Sequence, residues 1–337
     1  MILITGGLGY IGSHLALQLM AQGQPILLVD NLSNTNIQVL ERLEYITQMY
    51  VPFIKLDVRN TPALNKVFEQ YPIQAVVHCA GFKSVSESKQ KPLEYYNDNL
   101  NCIMSLLRAM QRANVRNLVH ISSLMVYNQS SAELDEKMEF NTQHQNPYVR
   151  SLQMIEQIIK DAYLSDPEWN IAVLRMSNIA GAYPNGLLGE LIPALPKNII
   201  SLAMQVAGRQ RETLELHHYG TENPEGTVER HFLHVMDACD AVVKALIWLT
   251  RREQGYDCFN VSGYEAIHMH KVVNEISRIT QRPIPTVEIK TPDRDTLLQI
   301  GAKNIKAHCT LQWRATRSFH QMLEDQWRFY EGILKFQ

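Results

Sequence analysis

The sequence predicts an α/β fold, a doubly wound parallel sheet with helices on both faces and a smaller lobe toward the C-terminal end. Three observations predict it. A short apolar strand at the start, MILIT, runs through a glycine-rich turn straight into a helix. Strand and helix then alternate along the first half of the chain. The second strand, ILLVD, closes on an acid, Asp30.

Met1 to Ile4 suit a buried parallel strand, and glycines follow at positions 6, 7, 9 and 12. Ile11, Leu15 and Leu19 recur at helical spacing up to Gly23-Gln24-Pro25, so the glycines form the turn between strand and helix. Gly6 suits a tight turn, Gly9 lets the backbone approach a pyrophosphate, and Gly12 lets helix and strand pack closely. The helix N-terminus adds unpaired N–H groups and the positive end of a dipole. Together these make a dinucleotide-binding turn. Asp30, about 18 positions beyond Gly12, is placed to hold the adenosine ribose hydroxyls. Its charge would repel a 2′-phosphate, so NAD is preferred over NADP. Capping Asn31-Leu32-Ser33 is the other use of the same carboxylate.

A third strand runs from Phe53 to Asp57, and Thr61-Pro62 opens the helix after it, which places Asp57 and Val58 beside the adenine. The fourth strand, Ala75 to Cys79, ends in Ala80-Gly81-Phe82-Lys83, where small residues let the backbone pass close to the pyrophosphate. A helix from Pro92 to about Ala113, a strand from Asn117 to Ser123, a helix from Pro147 to about Ala162 and a strand from Ile171 to Arg175 complete the pattern. From Asn178, glycine and proline punctuate a loop-rich stretch that includes Pro193 and Pro196, where a substrate lobe belongs. Regular structure resumes with a strand from Phe232 to Val235, a helix from Met236 to Leu249, a strand near Cys258 to Val261 and a helix from His268 to Thr280. A last amphipathic helix covers about Ser318 to Lys335, packed down by Trp313, Trp327 and Phe329. The expected division is a nucleotide-binding domain over 1–177, with 230–262 returning to it, and a lobe over most of 178–337.

The 337 residues, 45% hydrophobic and 20% charged, are enough to bury a large core. A net charge of −2 with interspersed signs offers no basic field to nucleic acid and no polybasic patch to a membrane. With no charged leader and no apolar run of about 18 residues, a cytoplasmic location without membrane insertion is expected. Cysteines 79, 102, 239, 258 and 309 are odd in number and contain no CxxC pair, which argues against a disulfide framework and a zinc site. His217-His218 and His268-Met269-His270 have no acidic or cysteine partner at ligand spacing, so no metal is expected.

A serine ending a strand, Ser123, and a tyrosine opening the next long helix, Tyr148, suggest an alcohol–ketone site over a nicotinamide. With TGGLGYIGSH at 5–14, DNLSN at 30–34, KPLEYY at 91–96, NPY at 146–148, RMSNIAGAYPNGLLGE at 175–190 and RHFLHVMD at 230–237, the chain resembles the extended short-chain dehydrogenase/reductases. Within them it resembles the UDP-glucose (UDP-galactose) 4-epimerase family over almost its entire length. The resemblance implies a Rossmann fold and NAD held through a cycle in which hydride leaves C4 of the sugar and returns to its other face. It implies that Tyr148 takes the 4-hydroxyl proton and that Ser123 holds the 4-oxygen. Cofactor contacts carry over to Tyr10, Ile11, Asp30, Asn31, Asp57, Val58 and the turn Ala80, Gly81 to Lys83. UDP-sugar contacts carry over to Asn178, Asn198 and Arg230. A guanidinium also suits a diphosphate by its paired donors, the alternative for Arg230 being a surface ion pair.

The sequence departs from that family around the same pocket. The family lysine four residues after the tyrosine is Leu152 here. Arg150 points about 200° away on the helix and does not replace it. A phenol with a pKa of about 10 is ionised to about one part in a thousand at pH 7, a cost of about 4 kcal/mol for proton abstraction. Leu124-Met125-Val126-Tyr127-Asn128, Asp98, Met176-Ser177, His231 and Pro292-Asp293-Arg294-Asp295 also differ from the family pattern. The reading is therefore a nucleotide-sugar 4-epimerase with reduced or altered activity. The alternative is a non-catalytic paralogue that binds NAD and a nucleotide sugar. A 4,6-dehydratase is disfavoured, because Leu124-Met125 stand where that chemistry has Asp-Glu. The resemblance further implies a homodimer joined along the helices at Pro92 and Pro147, with Met104, Leu107, Met110, Met154, Ile155 and Ile158 as its apolar seam.

Overall fold

In the computed structural model, residues 1–128, 131–142, 146–191, 198–218, 228–251, 255–290 and 299–334 are described. Seven strands form one parallel sheet: β1 (Ile2–Thr5), β2 (Ile26–Asp30), β3 (Phe53–Lys55), β4 (Ala75–His78), β5 (Asn117–Ser123), β6 (Asn170–Met176) and β7 (Tyr256–Val261). Their spatial order is β7-β6-β5-β4-β1-β2-β3. The doubly wound Rossmann-like arrangement is thus the one the strand–helix alternation predicts. Both sheet faces are covered, and alternate side chains go to opposite sides. Leu3, Leu27, Val76 and Leu118 enter a core with helices Thr61–Gln70, Pro92–Arg112 and Pro147–Ser165. Ile4, Leu28, Val77 and Val119 enter the other core, with helices Tyr10–Ala21 and Val235–Leu249. This explains why the strands read as continuous apolar runs.

The order reverses at β1, whose neighbours are β2 and β4. The loops after β1 and β4, carrying Gly6–Gly12 and Ala80–Lys83, therefore lie together at the carboxyl ends of the strands. That is the crevice where doubly wound sheets bind ligands.

The lobe has its own core, built from helices Ile199–Ala207, Met269–Thr280 and Phe319–Leu334 with Leu214, Leu216, Phe232 and Ile267. Strand Glu229–His234 pairs with Asn178–Ala180, Ala266–His268 and Gln299–Ala302, so it belongs to the second sheet. The chain rejoins the large sheet only with helix Val235–Leu249 and β7. Residue 230, where the sequence pattern began the return, stands in the lobe. Trp313, Trp327 and Phe329 are buried. Lys335 and Pro292-Asp293-Arg294-Asp295 lie outside the described residues, as do Pro193 and Pro196.

Three buried histidines give the fold an acid sensitivity. His78 accepts or donates at 2.7 Å with Thr5 Oγ1 and stacks on His120, with ring centroids 5.5 Å apart. Burial lowers the pKa of both His14 and His78 to about 4 and takes His120 well below its ordinary value. The unfolded chain takes up these protons near pH 6.5, whereas the folded chain refuses them until lower pH. Stability is therefore full above about pH 6.5 and falls on acidification toward pH 4, by up to about 1.4 kcal/mol per pH unit for each histidine. Urea unfolding should show a lower midpoint at about pH 5 than at about pH 8. Equal midpoints would contradict this account.

Candidate active site

The site is assembled at the switch point. Gly6 adopts φ +67°, and a Cβ there would lie 2.8 Å from the Ala80 backbone nitrogen, so the two loops touch only because position 6 is glycine. A Cβ on Gly12 would sit 2.3 Å from the Gly6 carbonyl oxygen, which is the close helix–strand approach expected of it. Helix Tyr10–Ala21 starts at Gly9 without a side-chain cap among the described residues, leaving its first-turn N–H groups for an anion.

Asp30 is buried at the end of β2. Its carboxylate accepts hydrogen bonds from the Leu8 and Leu32 backbone N–H groups at 3.2 and 2.9 Å. The capping use of this residue is thus present, and the carboxylate keeps acceptor capacity for a hydroxyl donor. Burial raises its pKa, with the backbone N–H groups opposing the rise. Asn31 donates to Asp57 at 3.1 Å, and Arg59 bonds Asp57 at 2.7 Å while also pairing with Asp98. The Arg59 hydrogen bond holds the Asp57 carboxyl down at about 2. Val58 is buried beside this group and Ile11 is half-buried. Turn and acids together fit a dinucleotide.

Lys83 is drawn toward the lobe. Its Nζ pairs with Glu190 at 2.8 Å and stands 5.9 Å above the Tyr10 ring, whose hydroxyl donates to the Gly181 carbonyl at 2.5 Å. The other oxygen of Glu190 accepts from Asn198 Nδ2 at 3.4 Å. Lys83 and Asn198, assigned from sequence to cofactor and substrate, are therefore linked through an acid that sequence reading did not single out. Asn198 also caps helix Ile199–Ala207 by accepting from the Ser201 N–H at 2.7 Å. Asn178 and Arg230 lie on adjacent strands of the second sheet. Asn178 is exposed, and Arg230 donates to the Glu229 carbonyl at 2.7 Å.

Ser123 ends β5 and accepts from the Met125 N–H at 3.2 Å, which starts a short 3-10 turn. Tyr148 is the second residue of helix Pro147–Ser165, whose first turn is capped by Asn146. Leu152 is buried in an apolar cluster with Leu124, Val126, Tyr127, Leu134, Ile300 and Ala302, and Tyr148 and Met125 pack against it. The position that would hold a cation is thus hydrocarbon. Burial pushes the Tyr148 phenol up to about 12, and the nearby Tyr95 phenol adds to the rise. The reference value near 10 used in the sequence argument understates the cost of ionising Tyr148, because burial disfavours the phenolate.

A sequence model of the NAD dependent epimerase/dehydratase family matches residues 2–262. The chain belongs to this family. It is 37% identical over 329 residues to the UDP-glucose 4-epimerase of Yersinia pestis, covering 97% of this chain and 96% of that one. The UDP-glucose 4-epimerase of Dictyostelium discoideum is 34% identical, with 97% and 95% covered. Among solved structures, the UDP-glucose-4-epimerase of Stenotrophomonas maltophila with bound NAD and formylated UDP-arabinopyranose superimposes at a TM-score of 0.95, with 30% identity and 100% and 99% coverage. The Bifidobacterium longum UDP-glucose 4-epimerase in complex with NAD+ and UDP gives a TM-score of 0.91 at 29% identity, with 98% of each chain covered.

Two supporting groups in this family member escaped the sequence reading. Asn99 accepts from the Phe82 N–H at 2.8 Å, donates to its carbonyl at 3.2 Å and reaches Ser151 Oγ at 3.1 Å. Ser151 in turn donates to the Tyr148 carbonyl at 2.7 Å, so the 80–83 turn is tied to the tyrosine helix. Below the site, Arg175 donates to Glu156 at 2.7 Å and to the Tyr127 hydroxyl at 2.9 Å, and Ser122 Oγ donates to Glu156 at 2.6 Å. The only signal for these was polar residues at otherwise apolar positions of a strand and a helix.

Proposed function

We propose that this chain is an NAD-dependent nucleotide-sugar 4-epimerase that interconverts UDP-glucose and UDP-galactose through a 4-keto sugar. The supporting observation is a chain that aligns over nearly its full length with UDP-glucose 4-epimerases and carries Ser123 at the end of β5 and Tyr148 in the first turn of the next long helix. NAD, when bound, would supply the hydride acceptor and donor for C4 of the sugar. The Gly6–Gly12 turn and the first-turn N–H groups of helix Tyr10–Ala21 hold the pyrophosphate. Asp30 and Asn31 hold the adenosine ribose, with Asp57 and Val58 beside the adenine. Ala80, Gly81 and Lys83 line the pyrophosphate side, and Asn178, Asn198 and Arg230 hold the UDP moiety. Ser123 Oγ orients the sugar 4-oxygen. Tyr148 Oη takes the 4-hydroxyl proton and returns it when the sugar is reduced from its other face.

Leu152 makes the tyrosine a reluctant base, so turnover is slower than in a site with a lysine there. The same observation favours the second reading, a non-catalytic protein that binds NAD and a nucleotide sugar. Purified protein given UDP-galactose should form UDP-glucose, and Tyr148→Phe should lower that rate by about 10²- to 10⁴-fold while NAD binding persists. A wild-type rate no higher than that of the variant would leave only the binding role.

The reading carries with it a cytoplasmic location and a homodimer. Among the described residues no helix is long and apolar enough to cross a membrane. Helices Pro92–Arg112 and Pro147–Ser165 lie against each other, and Leu107, Met110 and Ile155 are already buried inside the chain. The seam left for a second copy is therefore Met104, Met154 and Ile158, of which Met154 is 46% exposed. Size exclusion with light scattering should return twice the chain mass, and Met154→Glu should return one.

A further inference from the structure

We propose that His218, His270 and Glu288 form a binding site for one zinc-class divalent ion on the rim of the C-terminal lobe. Spacing along the chain leaves the two histidine groups without an acidic partner, but the fold supplies one. His218 ends strand Leu214–His218, His270 lies in the first turn of helix Met269–Thr280, and Glu288 is in strand Thr286–Lys290. The two strands are parallel, with Leu216 opposite Glu288. Side chains alternate along a strand and opposed residues share a face, so Leu216, His218 and Glu288 lie on one side of this ribbon. Leu214 and Leu216 on that side pack into the core with Val272, Val273 and Ile276 of the helix. The same face, continued to His218, meets the start of the helix at His270.

One nitrogen from each histidine and one carboxylate oxygen all lie within 4.8 Å of one another. His270 Nε2 stands 3.5 Å from one oxygen of Glu288, and His218 Nε2 contacts the other. The two imidazole centroids are 5.9 Å apart. All three side chains are part-exposed, so an ion can enter from solution. His268, the other histidine of the triplet, pairs with Glu229 at 2.7 Å and lies outside the set.

Two imidazoles and one carboxylate are a set that zinc takes with three protein ligands, leaving one position for water. Magnesium and calcium prefer oxygen-only shells, which two imidazoles do not offer. Donor atoms around zinc at about 2.0–2.2 Å stand about 3.4 Å apart, so the side chains must close by about an ångström. Surface side chains do this by rotamer adjustment. A two-stranded ribbon has little stability of its own. An ion here would tie both of its strands to the helix.

The test strips the full chain with a chelator, removes the chelator, and titrates it with zinc chloride by calorimetry and with cobalt chloride by visible absorption. The expected result is one ion per chain and cobalt d–d bands of low-coordinate symmetry. His270→Ala and Glu288→Gln should each weaken zinc binding at least about tenfold, and zinc should raise the melting temperature of the wild type but not of a His218→Ala/His270→Ala double variant. Zinc bound equally by wild type and double variant, or no saturable binding at all, would overturn the proposal. Circular dichroism of each variant separates lost ligands from lost folding.

Discussion

Replacing Leu152 with lysine is expected to raise the rate of UDP-galactose to UDP-glucose conversion by about 10- to 1,000-fold near neutral pH. Tyr148 is pushed up to about 12 by burial, so its phenolate is scarce at pH 7. Residue 152 is one helical turn beyond Tyr148 and packs in the same cluster, so an ammonium there would lie on the tyrosine's side of the helix. An opposite charge within about 4–6 Å lowers a pKa by about 1–3 units, and each unit is a tenfold gain in phenolate. The sign is visible in the pH profile. A base with a raised pKa gives a rate that still climbs with pH well into the alkaline range, whereas Leu152→Lys should climb less and level off earlier. The variant should also lose some stability, because the lysine displaces a leucine buried among Leu124, Val126 and Ile300. Unchanged rate and unchanged profile with NAD retained would favour the non-catalytic reading.

Glu156→Ala is expected to destabilise the protein by about 3–5 kcal/mol. Arg175 and Glu156 are almost completely buried, with side chains 6% and 2% exposed, and the guanidinium also lies 4.9 Å from the Tyr127 and Phe140 ring centroids. Removing the acid strands a buried cation that keeps, among the described residues, the Tyr127 hydroxyl and the ring faces. Removing both charges does not, so a Glu156→Leu/Arg175→Met double variant should lose much less than the single one. Urea unfolding of both variants checks the pair, and a single-variant loss below about 1 kcal/mol would show the ion pair to be dispensable. The network joins three parts of the site framework. Glu156 is on the helix whose second residue is Tyr148, Ser122 precedes Ser123 on β5, and Tyr127 donates to Asn260 of β7 at 2.7 Å. The ion pair therefore holds the tyrosine helix to β6, and the Ser122–Glu156 hydrogen bond holds it to the serine strand.

The parts legible in the sequence were the local ones. A strand, a glycine turn and a helix follow one another within the first residues, and hydrophobic period and glycine spacing suffice to read a parallel α/β unit there. Asp30 at a strand end and Tyr148 after an Asn-Pro cap are likewise short-range patterns. Element ends moved by only a few residues, as with the helix from Pro147, which extends to Ser165. The lobe boundary was harder. Glu229–His234 and β7 are both six-residue strands of mixed polarity, and only pairing tells which sheet each joins.

By itself the sequence determined the doubly wound sheet, the dinucleotide turn and the replacement of a lysine by Leu152, because each is written in contiguous residues or in a period. The tertiary structure decided what surrounds those residues. It packs Tyr148 against the cluster that holds Leu152, gives Lys83 to Glu190, sets Arg175 on the Glu156 that Ser122 also bonds, and brings His218 and His270 to Glu288. Except for Tyr148 and Leu152, one helical turn apart, these are contacts between different elements of the fold. Their electrostatics depend on distance and on exclusion of water, neither of which is a property of spacing along a sequence.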